Sequence, residues 1–220
     1  MTAIAINRPK LLDGAYSVTG SYRLACSTGA VTVIAARTAT AGQLLNFRFP
    51  AASPNKAFIK YVGARFVLTT AYTTAQETGC DMILAHSFTV NGTNGTAVDV
   101  GSTVANTGKL LTGFATSGIT AGCVRVADAS AITAGTHTLD ANPVAVLSDW
   151  SGAIGGTVPI ATSGARSGFG TLFDYKASGH EAPIVLGTDE GFVIRNLIVM
   201  GAVGVGRWDF LIEWDEGVAA

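Results

Sequence analysis

GFVIRNLIVMGAVGVGRWDFLIEWDE, residues 191–216, decides the fold class. In its last part Trp208, Phe210, Ile212 and Trp214 fall on one side of a period-2 ladder, against Arg207, Asp209, Glu213 and Asp215 on the other. That alternation predicts a strand with one dry face and one wet face. In the first part Phe192, Ile194, Ile198 and Met200 alternate with Val193, Leu197 and Val199. Apolar residues on both sides predict a strand covered on both faces. Gly201, Gly204 and Gly206 punctuate the connection and offer backbone angles that Val203 and Val205 resist. The two strands therefore read as a hairpin with Trp208 and Trp214 in a core. A hairpin alone is marginal in water, so a partner sheet is expected.

Working outward, the pattern repeats in shorter pieces: SYRLAC at 21–26, AVTVIA at 30–35 and QLLNFRF at 43–49. In the third, Leu45, Phe47 and Phe49 alternate with Leu44, Asn46 and Arg48, again one dry face. PAASPN at 50–55 then turns the chain. AFIKYVGARFVLTTAYT at 57–73 and DMILAHSFTV at 81–90 are the longest apolar pieces of the middle region, and in the second Met82, Leu84, His86 and Phe88 share a face. His86 reads as a hydrogen-bonded histidine of the core or its boundary. Asn91-Gly92 and Asn94-Gly95 are turn dipeptides. They also form N-x-T sequons, for which the turn is the simpler reading. From 101 to 142 the chain alternates turns with short strands such as KLLTGF, CVRVAD and THTLDANP. Residues 148–170, SDWSGAIGGTVPIATSGARSGFG, lack pattern and predict a long surface loop carrying Trp150, and loops of that length are usually functional or disordered. Thr-rich stretches disfavour helix. The expectation is all-β: a two-sheet antiparallel sandwich of the jelly-roll type over residues 16–220, preceded by an arm, residues 1–15, with Ile4, Ile6, Leu11 and Leu12 as anchors.

Composition narrows the function classes. Charged residues are 13% of 220 and hydrophobic ones 48%, with a mean hydropathy of +0.39. A surface that short of charge belongs to a membrane protein or to one that covers itself with neighbours. Apolar runs such as Leu197–Val205 are far shorter than the roughly 20 residues of a spanning helix, which favours assembly. Net charge is −1 and no Lys/Arg run occurs, so the electrostatic footprint of a nucleic-acid binder is missing. MTAIAINRPKLLDG lacks the apolar core of a signal peptide. Cys26, Cys80 and Cys123 are odd in number, far apart and without C-x-x-C, and read as small buried hydrophobes of a chain made in a reducing cytoplasm.

Motifs of chemistry do not assemble in the sequence. Ser167 lacks the glycine spacing of a nucleophile elbow. Gly108-Lys109 lacks the upstream glycine of a phosphate loop. His86, His137 and His180 are scattered, and zinc ligation would need the fold to converge them. Asp189-Glu190 and Asp215-Glu216 are adjacent carboxylates that a strand points to opposite faces, so they read as solvated acids. The expectation is a non-enzymatic chain with no catalytic residue, metal or cofactor.

TTAYTTAQETGCDMILAHSFTVN, ITAGTHTLDANP and HEAPIVLGTDEGFVIRNLIVMGAVGVGRWDFLIEWDE together resemble a group of tailed-bacteriophage virion proteins, which close on a similar E-G-F-V-I-R-N strand and an aromatic, acid-ended final strand. The resemblance runs from about Thr69 onward and leaves out the first 50 residues. It implies a structural component of the virion and no catalytic residues. Within that class the low charge suits a capsid decoration or cement protein on the head exterior, assembled in the host bacterial cytoplasm, a homotrimer bound to the major capsid protein without nucleic acid or membrane. Its candidate interface residues are Ile4, Ile6, Leu11, Leu12 and Trp150. The alternative is a tail-associated module binding a cell-surface glycan, with Trp150 as the sugar platform.

Overall fold

The computed structural model describes residues 16–32, 34–38, 40–50, 55–70, 72–73, 76–100, 110, 113, 115–151, 170–175, 182–201 and 203–219. Twelve strands and no helix are found among them: β1 (Tyr16–Ser27), β2 (Gln43–Phe49), β3 (Lys56–Thr70), β4 (Gln76–Val90), β5 (Thr96–Val98), β6 (Val124–Val126), β7 (Thr136–Leu139), β8 (Ala145–Ser151), β9 (Gly170–Asp174), β10 (Ile184–Leu186), β11 (Glu190–Asn196) and β12 (Val205–Ala219). They form two antiparallel sheets. One runs β1-β12-β3-β10, with β9 also on β3. The other runs β5-β6-β2-β11-β4-β7, with β8 also on β4. The two pack face to face as a β-sandwich, as the alternation predicted.

The stretch that opened the reading lies at the centre of both sheets, but not as a hairpin. β11 pairs with β2 and β4 in the seven-stranded sheet, whereas β12 pairs with β1 and β3 in the five-stranded one. Leu197–Gly204 thus carries the chain from one layer to the other. In this arrangement each of the two strands lies between two neighbours, and their dry faces meet across the core. The glycines of the crossing serve space rather than angle. A Cβ on Gly204 would sit 2.0 Å from the Tyr72 ring, and one on Gly206 2.2 Å from that of Phe66.

Trp208, Phe210, Ile212 and Trp214 are fully buried, and they meet Leu45, Phe47, Phe49, Phe192 and Ile194 of the opposite sheet in one core. Trp214 stacks on Tyr22 at 5.3 Å between ring centroids, and Phe47 on Phe192 at 4.9 Å. β11 is covered on both faces, as expected: Phe192 and Ile194 enter the main core, and Val193 joins Ile83, Ala85 and Phe88 in a second cluster on the outer face.

Several expectations need correction. The described residues of 30–35 form no strand; among them Val31 alone bridges, to Gly206. The polar side of β2 is not wet, because Asn46 is 1% exposed and lies 2.7 Å from the Cβ position of Gly92, with Ile132 and Thr133 beside it. Phe88 does not share the face of Met82. Ser87 has φ of 50°, the register shifts between His86 and Val90, and the slip turns Phe88 toward Ile83 and Ala85. Of the loop expected at 148–170, Ser148–Ser151 instead complete β8 and Gly170 starts β9, and residues 152–169 lie outside the described residues. Asn94-Gly95 does form a turn, both residues left-handed with φ of 60° and 63°. Cys80 and Cys123 are buried and Cys26 partly so, all three free.

Candidate functional site

The outer face of the five-stranded sheet carries a connected set of charged side chains. Register places Asp209 between Ser27 and Arg65, Glu213 between Arg23 and Tyr61, and Asp215 between Ser21 and Phe58. Directly opposed side chains in such ladders are close enough to bond. Arg23 donates from Nε (2.9 Å) and Nη2 (2.6 Å) to Glu213 Oε1. Lys60 is the extra residue at a bulge opposite Glu213 and Trp214, and its ammonium reaches Asp215 Oδ1 at 2.5 Å and Ser21 Oγ at 3.0 Å. The acids expected on a wet face are in fact 5% (Asp209), 8% (Glu213) and 9% (Asp215) exposed, tucked under the basic side chains that neutralise them.

Asp209 is the focus of this face. Oδ1 accepts from Ser27 Oγ at 2.7 Å and Arg207 Nε at 3.1 Å, and Oδ2 accepts from Arg65 Nη2 at 2.6 Å and Nε at 3.1 Å. A depression of about 250 Å³ opens here, lined by Ala25, Cys26, Ser27, Arg65, Arg207 and Asp209 among others. Burial by itself would raise the Asp209 carboxyl, but the hydrogen bonds from Ser27 and Arg65 and the charges of Arg207 and Arg65 outweigh it and hold the group below the ordinary carboxylate range. Beside it, burial and then the Asp209 charge push the Cys26 thiol up to about 12. A carboxylate saturated by donors and a thiol kept protonated do not make a base and a nucleophile. Two guanidiniums and one hydroxyl thus converge on a single carboxylate at this depression.

Asp215 and Glu216 do point to opposite faces, but neither is solvated. Glu216 is 1% exposed and accepts from Ser117 Oγ (2.5 Å), Gly118 N (2.8 Å) and Trp214 Nε1 (3.1 Å), pinning residues 117–118 across the end of the sandwich. On the other sheet Asp81, wholly buried, takes Arg195 Nε at 3.0 Å and Nη2 at 2.6 Å and is also bonded by Arg37. This triad fastens the segment before β2 to the end of β11.

Of the residues singled out in the sequence, Ile4, Ile6, Leu11, Leu12 and His180 lie outside the described residues. Trp150 is a strand residue opposite Glu77, with its side chain outside the described residues. His86 is exposed rather than in the core or at its boundary, its Nε2 2.8 Å from Asp140 Oδ1 and its Nδ1 3.5 Å from Glu190 Oε1. His137 is partly buried against Phe88. Among the described residues no group of three or more His, Cys, Asp and Glu could hold a metal ion, and no helix is long and apolar enough to cross a membrane. The site that does form, Ser27, Arg65, Arg207 and Asp209, was half visible in the sequence as the polar side of the final strand; its other half depends on which strands flank it. Compared with protein-family models, curated proteins and solved structures, the chain matches none.

Proposed function

We propose that this chain is a structural protein of a tailed-bacteriophage particle, a decoration or cement subunit of the head exterior that acts as a homotrimer on the major capsid protein. One observation carries the reading. Residues 180–216, the last of the stretches that resemble phage virion proteins, include a central strand of each sheet, β11 and β12, so the resemblance concerns the scaffold and not an appendage. Successive strands alternate between the sheets from β1 to β4 and again from β10 to β12, a wiring compatible with the jelly-roll form of the proposal. Exposed valines add support: Val146 is 52%, Val199 57% and Val203 61% exposed, on a chain with few charges to keep copies apart. Asp209, Glu213 and Asp215 of the five-stranded sheet are spent on internal pairs, which suits a rigid load-bearing shell.

Quantitative mass spectrometry of particles carrying this chain tests the proposal. Hundreds of copies per particle are expected. A handful would assign the chain to the tail, where a glycan-binding role becomes the reading to pursue, and absence from purified particles would overturn both. Native mass spectrometry of the isolated chain at micromolar concentration is expected to give a trimer.

A further inference from the structure

The outer face of the seven-stranded sheet carries a second apolar cluster, Ile83, Ala85, Phe88 and Val193, with Leu139 of β7 packed against it. β7 is four residues long and pairs only with β4, across the register shift at Ser87. Ahead of it Ile132 and Thr133 bridge to Gln43 and Thr93. A short edge strand over a bulge is the kind of unit that opens without the rest of the fold.

His137 sits in the middle of this strand. Its ring lies 4.7 Å from that of Phe88, and its Nε2 is 3.4 Å from Nε2 of the fully buried Gln43, whose amide can present oxygen or nitrogen to it. Its Nδ1 is buried and has no hydrogen-bond partner. A neutral imidazole can leave that nitrogen as a bare lone pair, but an imidazolium places a proton there and needs an acceptor. None is supplied. Charged groups on the surrounding elements have partners other than His137: Asp81 of β4 meets Arg195 and Arg37, Asp140 after β7 and Glu190 of β11 face His86 of β4, Arg48 of β2 meets Asp189 and the carbonyls of Phe88 and Thr89, and Arg125 of β6 meets the carbonyls of Asn94 and Gly95; Glu77 lies at the far end of β4, opposite Trp150.

We propose that β7, Thr136–Leu139, is an acid-released strap: protonation of His137 undocks it from the sheet and uncovers the cluster of Ile83, Ala85, Phe88 and Val193. Burial lowers the proton affinity of the docked ring below that of an ordinary histidine, in the same direction. The undocked strap binds the proton more tightly, so docking is at full strength above the ordinary histidine value and weakens as pH falls through it. The inference is independent of the particle reading.

Hydrogen exchange of the full chain, compared at about pH 7.5 and about pH 5 after correction for intrinsic rates, tests it. At the lower pH, protection in 136–139 and in 85–90 is expected to fall by about tenfold while β12 stays unchanged, with a matching rise in binding of an apolar dye. His137→Gln should abolish the difference between the two pH values, and His86→Gln should leave it intact. Equal protection at both pH values in the wild type, or loss of the effect in His86→Gln instead, would overturn the proposal. Should His137→Gln fail to fold, histidine NMR on the wild type decides: a His137 ring that titrates at or above the ordinary value rejects the strap, and one that titrates below it supports it.

Discussion

The indole of Trp214 meets the ring of Phe47 edge-on, centroids 5.5 Å apart at 76°, and this contact joins the two sheets at the middle of the core. Trp214 also donates from Nε1 to Glu216, whereas the equally buried Trp208 has an indole nitrogen without a partner. Truncation of either to Ala is expected to cost about 3–5 kcal/mol. The phenylalanine variants should separate them. Trp214→Phe deprives a buried carboxylate of a donor, while Trp208→Phe removes a buried N–H that bonds to nothing. Urea denaturation is expected to find Trp214→Phe the less stable by about 1–2 kcal/mol, and the reverse order would reject this reading of the core.

Asp209 predicts how stability responds to acid. Its carboxyl ionises at lower pH in the fold than in the unfolded chain, so its contribution is complete above the unfolded value of about 3.9 and is lost as pH falls toward the lower folded one. Asp209→Asn keeps the shape but weakens the bonds to Arg65 and Arg207, with an expected loss of about 1–3 kcal/mol at neutral pH. The gap between wild type and variant should narrow below about pH 4. A gap that stays constant down to about pH 2 would mean that Asp209 is not the titrating group.

How far the fold was legible follows from these residues. The period-2 pattern of Trp208 to Trp214 is a property of one strand, and it correctly placed a dry face and a partner sheet. Pairing is a property of two strands. That Gly191–Asn196 lies beside Gln43–Phe49 and not beside Val205–Ala219 depends on the net gain of closing both sheets, which no local pattern encodes. The Asp209 cluster was hidden for the same reason, since Ser27 and Arg65 stand 182 and 144 residues from it in sequence. Phe88 was misplaced because one left-handed residue, Ser87, resets the alternation, and a serine carries no signal for that as a glycine would.

Asp81 is wholly buried between Arg195 and the partly exposed Arg37. Asp81→Asn leaves Arg195 buried without its counter-charge and is expected to cost about 3–5 kcal/mol. Replacing the buried pair together, Asp81→Leu with Arg195→Met, should recover most of that loss, since Arg37 is partly exposed and can return to water. Thermal melting of the single and double variants measures the coupling. A double variant no better than Asp81→Asn would show that the fold depends on the ion pair itself.

Residues 1–15 hold Ile4, Ile6, Leu11 and Leu12, lie outside both the described residues and the phage-like part of the chain, and lead into β1 at one edge of the five-stranded sheet. An extended segment of this length spans up to about 50 Å, enough to reach a neighbouring subunit. On the particle reading, each arm adds a modest contact to the capsid or to a partner subunit, for instance as a strand on an exposed sheet edge, and several arms on one oligomer multiply through effective concentration. Deleting residues 1–14 is therefore expected to leave melting temperature and oligomeric state unchanged while lowering co-sedimentation with undecorated heads by at least about tenfold. If the truncated chain binds heads as well as the intact one, attachment lies on the sandwich itself, and the Asp209 depression with its two guanidiniums is the first surface to mutate.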